Sequence, residues 1–301
     1  MEKIKDLKIR KGVKASELAT LLGTTGFQAS HIRDAAQLIK KMRSKECTVF
    51  LSFTANMMAS GLRGLLTQLV EEGYVDAVIT TGGSIDHDII RSEKPYILGD
   101  FQTDDIDLHQ RGVNRIGNVL VPNNRYMYLE KQMRKHYKSA YKEGKQFTPS
   151  ELNKYLGSRL PKESFLATCE RKKVPVYCPG MIDSAAGMHL YFFRQDHKDF
   201  NINTAADLEN LAQQVFTAKK TAGIILGGGI SKHHLIGANL MRGGLDYAVY
   251  VSTATEYDGS LSGAKPQEAK SWGKIAENGR MASVYADATL ALPLIMASLI
   301  T

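Results

Sequence analysis

Short apolar runs rich in β-formers recur along the chain at residues 48–53, 75–80, 174–177, 223–226, 247–252 and 283–286. Each ends in small or turn-forming residues, and most lead into a stretch of helical period. That alternation predicts an α/β fold with a doubly wound, mainly parallel sheet. After the first run, Leu62, Leu65, Leu66 and Leu69 fall on one helical face, and Gly73 supplies the stop. The segment 126–145 is polar and helix-prone, and Thr148-Pro149-Ser150-Glu151 has the composition of a new helix start. This middle region is expected to decorate the sheet without a core of its own. No internal repeat, low-complexity tract or Pro/Gly-rich linker interrupts the pattern, so a single domain over 1–301 is expected.

Composition narrows the class. With 43% hydrophobic residues, 301 residues bury a sizeable core. Cys47, Cys169 and Cys178 form no CxxC pair, which argues against a disulfide framework and against a cysteine-built zinc site, and fits a reducing cytoplasm. Residues 1–5 show no apolar signal core, and the apolar tail 288–300 is short and holds Pro293, so a soluble, unexported protein is expected. The formal charge is +8, but 39 basic residues are set against 31 acidic ones. The basic pieces at 8–11 and 171–173 carry no interleaved aromatics and read as solvated faces, so no nucleic-acid partner is expected.

In open parallel sheets, ligands bind beyond the carboxyl ends of the strands. The residues that follow the runs are small, hydroxylated or glycine: 54–61, 80–88, 178–183, Gly227-Gly228-Gly229 with Ile230 to His234, 253–260 and 287–289. Such ends suit a phosphate-bearing cofactor, because backbone N–H groups at helix starts then reach the anion without a side chain in the way. Asp183 or Asp287 is placed to accept from ribose hydroxyls. Neither GxGxxG nor GxxxxGK[ST] occurs, and a bare glycine triplet equally describes a tight turn. His233 and His234 are adjacent, not spaced i, i+4, so no metal site is expected. One of them is a candidate general base.

The string Glu268-Ala269-Lys270-Ser271-Trp272-Gly273-Lys274 brings a lysine beside the single tryptophan of the chain. An amine walled by an aromatic ring is a candidate nucleophile once burial disfavours its ammonium form, and Glu268 is a candidate holder of a cationic substrate. The same string also fits a helix end whose tryptophan packs inward while the lysine reaches water.

Taken in order, these segments resemble the deoxyhypusine synthase family nearly end to end. The resemblance runs through residues 23–29, 54–61, 80–88, 112–118, 227–234, 246–250, 271–275 and 284–288. It implies a Rossmann-like NAD-binding fold in the compact archaeal or bacterial form, without the N-terminal extension of eukaryotic members. The implied activity is NAD-dependent transfer of an aminobutyl group from spermidine to a lysine of the hypusine-bearing translation initiation factor. Lys274 matches the nucleophile that carries the fragment as a Schiff base, and His233 matches the proton-moving histidine. The implied substrate contacts are Asp86, His87, Gly259, Ser260, Glu268 and Trp272. The implied cofactor contacts are Asn56, Met57, Thr81, Gly82, Asp183, Gly228, Thr253, Ala254, Asp287 and Ala288. A cytoplasmic homotetramer with sites at subunit interfaces is the expected assembly.

Three positions depart from the family pattern: His87, Met188 and Leu261 stand where the family carries acids. A triply charged polyamine needs an acceptor for each buried ammonium. Either neighbouring carboxylates such as Asp86, Asp88 and Glu256 take over, or the donor amine differs. Two further readings stay open: aminoalkyl transfer to a small amine, as in a homospermidine-forming synthase, and a non-catalytic NAD-binding paralogue that regulates a true synthase.

Overall fold

The computed structural model describes residues 2–43, 46–144 and 146–300; Met1 and Lys145, which fall in two of the segments above, lie outside the described residues. In chain order the elements begin with α1 (Ala15–Leu22), α2 (Gln28–Met42), β1 (Cys47–Phe53), α3 (Ala55–Ala59), α4 (Arg63–Glu71), β2 (Ala77–Ile79) and α5 (Gly82–Arg91). The middle adds β3 (Ile97–Leu98), α6 (Asp105–Gln110), β4 (Val113–Ile116), β5 (Val119–Pro122), α7 (Asn123–Lys142), α8 (Pro149–Gly157), α9 (Phe165–Arg171), β6 (Val176–Tyr177) and α10 (Ala185–Asp196). The last part holds α11 (Thr204–Thr217), β7 (Lys220–Leu226), α12 (Gly229–Leu240), β8 (Leu245–Val251), α13 (Pro266–Ser271), β9 (Ile275–Val284) and α14 (Ala288–Leu299). They divide into two compact units, one built from 1–53, 68–79 and 210–301, the other from 54–67 and 80–209.

The first unit holds the expected parallel sheet, with strands in the order β2-β1-β7-β8-β9. Phe50, Leu51, Phe53, Ile224, Ile225, Leu226, Val249 and Val251 are all buried. A near-continuous apolar strand is what a parallel sheet covered on both faces requires. Helix α12 packs against β1, β2 and β7, while α2 packs on β8, β9 and α14. The chain leaves β1 toward β2 but leaves β7 toward β8 and β9, so the direction of winding reverses between β1 and β7. Parallel α/β sheets open a crevice at such a reversal. Here Gly227 and Gly228 follow directly on β7.

Strand β9 is longer than the run at 283–286 suggested. It pairs only with β8 and carries Glu277, Asn278 and Arg280 in exposed positions. Polar residues are tolerated there because an edge strand has one neighbour, and they hide the strand from a hydrophobic pattern.

The second unit is mostly helical, with a three-stranded antiparallel sheet in the order β3-β5-β4. The β4–β5 hairpin turns at Gly117, whose φ of 60° lies in the left-handed region glycine tolerates. Residues 126–142 of the polar, helix-prone segment lie in α7, and Thr148 starts α8 with a reciprocal capping box: its side chain accepts from the Glu151 N–H, and the Glu151 carboxylate accepts from the Thr148 N–H at 2.8 Å. No helix among the described residues is long and apolar enough to cross a membrane.

Candidate active site

Lys274 is placed by the local chemistry of α13 and its exit. Pro266 occupies the first turn, where its missing N–H costs nothing, and Trp272 closes the helix. Gly273 then adopts φ 66°, and the Lys274 N–H returns to the Ala269 carbonyl at 2.9 Å. The Lys274 carbonyl accepts from the Leu245 N–H at 3.1 Å, which fixes the residue at the entrance to β9. Its Nζ lies 5.2 Å from the centroid of the Trp272 ring, within cation–π range. Lys274 is half-buried, whereas Trp272 remains 65% exposed and walls the amine from one side only.

Around this amine lies a pocket of about 220 Å³ lined by His233, Ile236, Tyr250, Leu261, Glu268 and Trp272, with Lys232, Gly259, Lys265 and Lys274 also on its wall. The sequence had brought His233, Gly259, Glu268, Trp272 and Lys274 to attention, and all of them line it. Ser260, adjacent in chain, is exposed. Two buried polar residues of the pocket wall, Lys232 and Tyr250, lay in the motif strings without a role of their own. Lys232 is 2% exposed, and burial pushes its amine down to about 8, partly offset by the charge of Glu268. Tyr250 is 4% exposed, its phenol pushed up by burial, and its hydroxyl finds no hydrogen-bond partner among the described residues. Lysine is rarely buried, so nothing in the string Ile230 to His234 announced Lys232.

A second pocket of about 470 Å³ lies beside the ends of β8 and β9, lined by Ser252, Ala254, Thr255, Ser262 and Tyr285 among others. Ala254 donates its N–H to the Ser252 hydroxyl at 3.1 Å, and Thr253 is exposed next to it. Gly228 is buried, and a Cβ on it would fall 2.5 Å from the Ser262 side chain, so no larger residue fits there without a shift. The following N–H, of Gly229 at the start of α12, donates to the Ser262 hydroxyl at 3.0 Å. Asp287 is exposed and caps α14, accepting from the Thr289 N–H at 2.8 Å, and Ala288 is buried behind it. Small residues, hydroxyls and an orphaned phenol beyond the carboxyl ends of the parallel strands form a donor and acceptor set that fits a dinucleotide.

The remaining candidates belong to the second unit. Asn56 is exposed with its side-chain oxygen accepting from the Thr54 hydroxyl, Met57 is buried, and Asp183 is exposed. Thr81 caps α5, and a Cβ on Gly82 would strike Ser184 at 2.5 Å. Asp86 and Asp88, two residues apart on α5, diverge by about 200° around the helix axis. The two oxygens of Asp86 accept from the Ala185 and Ala186 N–H groups at 2.8 and 2.9 Å, at the start of α10. Those of Asp88 accept from the Phe165 and Leu166 N–H groups, both at 2.9 Å, and one also pairs with Arg63 at 2.7 Å. Both carboxylates therefore anchor helix N-termini, where negative charge is favoured. Burial pushes Asp86 up to about 6 and His87 down to about 4, and the His87 Nδ1 lies 2.7 Å from the Tyr96 hydroxyl. Met188 is 52% exposed. Among the described residues no cluster of three His, Cys, Asp or Glu side chains is arranged to hold a metal ion.

Fold and pocket together define a Rossmann-like α/β enzyme with an amine-bearing pocket beside a crevice suited to a dinucleotide. The family profile of deoxyhypusine synthase matches residues 17–299. A probable deoxyhypusine synthase from Picrophilus torridus is 43% identical over 299 residues, covering 98% of this chain and 96% of that one. The crystal structure of a putative deoxyhypusine synthase from Entamoeba histolytica aligns with a TM-score of 0.73 at 26% identity, over 98% of this chain and 96% of its own. AgrE, in its ternary complex with ornithine and NAD+, aligns with a TM-score of 0.57 at 17% identity over 90% of this chain and 33% of AgrE, a likeness of fold alone. The chain belongs to the deoxyhypusine synthase family. It is a transferase of the class that moves an aminobutyl group in hypusine biosynthesis.

Proposed function

We propose that this enzyme uses NAD and spermidine to place an aminobutyl group on one lysine of the hypusine-bearing translation initiation factor, with Lys274 carrying the group between them. The observation that supports this reading is the Lys274 amine beside Trp272, in a pocket whose wall also holds His233 and Glu268. NAD, when bound, supplies a reversible hydride acceptor. Gly228, Thr253, Ala254, Asp287 and Ala288 of the first unit are the residues proposed to hold it.

Glu268 draws an ammonium of the donor into the pocket, and Trp272 lies along its methylene chain. With a hydride drawn from the donor carbon beside its secondary amine to the acceptor that NAD would supply, that carbon would become an imine; the Nζ of Lys274 would add to it, diaminopropane would leave, and the four-carbon fragment would stay on Lys274 as a Schiff base. His233, exposed at the pocket rim, takes the proton that the attacking amine loses and returns one to the departing amine. The acceptor lysine would then displace Lys274 from the imine, and return of the stored hydride to that carbon would leave an aminobutyl group on the acceptor with no net redox change. Gly259 and Ser260 complete the proposed substrate contacts; Asp86 and His87 are left out of them, because both are buried and both Asp86 oxygens are engaged by the start of α10. The working form is proposed to be a cytoplasmic homotetramer with its sites at subunit interfaces. The two units are read as one functional domain over 1–301, since the family match runs through both without a break.

Incubation with NAD and spermidine followed by borohydride should add one four-carbon amine to Lys274, read by peptide mass, and Lys274→Ala should abolish both label and transfer. Full activity of the alanine variant would remove Lys274 from the mechanism. Adding the translation factor decides the acceptor: mass gain on its lysine supports the proposal, whereas a new free polyamine would identify a small-amine transferase.

A further inference from the structure

We propose that Lys232 is a positioning residue, whose ammonium pins the segment Gly259–Ala264 to the start of α12 and so sets the wall shared by the two pockets of the first unit. Its Nζ donates to the Leu261 carbonyl and to the Ala264 carbonyl, each at 2.7 Å, with the Ser262 carbonyl at 3.4 Å. The same nitrogen stands 4.6 Å from the centroid of the Tyr250 ring. The hydrogen bonds that keep this charge buried thus come from the segment, and its ring contact from the strand beneath it. Besides the Ser262 hydroxyl, which accepts from the Gly229 N–H at 3.0 Å, the segment is held by local turns: Gly259 and Ser260 are exposed, and its short turns close on Glu256, Ser260 and Leu261. One face of it, Ser262 and Gly263, lines the larger pocket, and the other, Gly259 and Leu261, lines the smaller one; Ala264 and Tyr250 line both. The ammonium, with the Gly229–Ser262 hydrogen bond, therefore sets how far the two pockets stand apart. Its importance for transfer rests on the reading of those pockets given above.

A pH dependence follows. Glu268, from α13, favours the ammonium, and Tyr250, from β8, stays protonated because burial raises it; His233, Lys265 and Lys274 share the pocket wall. Burial pushes Lys232 down to about 8. Above that pH the amine keeps two N–H donors but loses its charge, and the charge-assisted bonds weaken. Stability moves the other way. From about pH 8 up to the ordinary lysine range the unfolded chain holds the extra proton, so folding becomes more favourable as pH rises while the segment loosens.

Hydrogen exchange of peptides spanning 255–265 tests this without reference to activity. In the wild type, protection of the 259–264 amides, corrected for intrinsic rate, should fall about tenfold between pH 7 and pH 9.5 while β8 stays protected. Lys232→Met should show that loss already at pH 7, with weaker NAD and amine binding, and Lys232→Arg should keep the protection to high pH. In transfer assays an alkaline limb near pH 8 should be present in the wild type, absent from the residual activity of Lys232→Met and displaced upward in Lys232→Arg. Unchanged protection in the wild type at pH 9.5, or the same limb in either variant, would overturn the proposal. If Lys232→Met does not fold, the wild-type and arginine measurements decide alone. Absence of Lys274 labelling in the wild type at every pH would end the catalytic reading and leave the exchange result standing.

Discussion

Which amine enters the smaller pocket is decided by very few charges. Its wall carries Lys232, Lys265 and Lys274 against the single carboxylate of Glu268. Lys265 is spent on an ion pair with Glu256, and Lys232 on backbone carbonyls, so Glu268 is the group left to meet a donor ammonium. A charge-assisted hydrogen bond contributes about 1.5–3 kcal/mol, or roughly 10- to 100-fold in affinity. Glu268→Gln should therefore raise the KM for the amine by about that factor with a smaller change in kcat. Leu261 presents an apolar side chain to the same space while only its carbonyl is engaged. Leu261→Asp should lower the KM for spermidine, measured against a shorter diamine; an unchanged ratio would mean that the existing acids already satisfy the donor. The sequence named Lys274, Trp272 and Glu268 because their spacing carries chemistry, and the family resemblance chose His233 over His234. Lys232 and Tyr250 were silent in it, since what distinguishes them is burial.

At the scale of elements, the loop between β8 and α13 has no freedom at Gly263. A Cβ there would sit 1.5 Å from the Thr255 carbonyl oxygen, so Gly263→Ala must displace the backbone on one side of both pockets. The displaced segment contributes little core, so thermal stability should change by no more than about 2 kcal/mol. NAD affinity should fall about tenfold or more, as read by calorimetric titration, because Ser262 leaves the Gly229 N–H it now meets. Native NAD affinity in this variant would separate the loop from the cofactor pocket. Helices with chemical punctuation were legible: Thr148 and Glu151 form the box that their spacing announced. The longer part of edge strand β9, residues 275–282, and the β4–β5 hairpin were not, because half-exposed strands carry no strong apolar run.

For the whole molecule, buried imidazoles set the acid limit. His87 and His136 are buried without a compensating acid, and burial pushes both down to about 4. The unfolded chain takes up these protons first, so the stability they report is complete above about pH 6.5 and is lost as pH falls toward 4. Each contributes at most on the order of 3 kcal/mol. Asp86, pushed up to about 6, works in the opposite sense, because acid relieves its buried charge. His136→Leu should consequently lose less stability between pH 7 and pH 4.5 than the wild type does, measured by urea unfolding at each pH. An equal loss would place the acid sensitivity elsewhere.

Hydrophobic period determined, from the sequence alone, that the chain winds a parallel sheet with helices between its strands, and ordered motif strings determined its family. Both are local properties, carried by residues near one another in the chain. Tertiary structure alone decided that Asp86 and Asp88 turn to opposite sides of α5 to hold the starts of α10 and α9, and that Lys232 is shut away from water against the carbonyls of Leu261 and Ala264. The cost or benefit of a charge depends on the dielectric and the partners that distant segments bring to it, and no spacing rule records those.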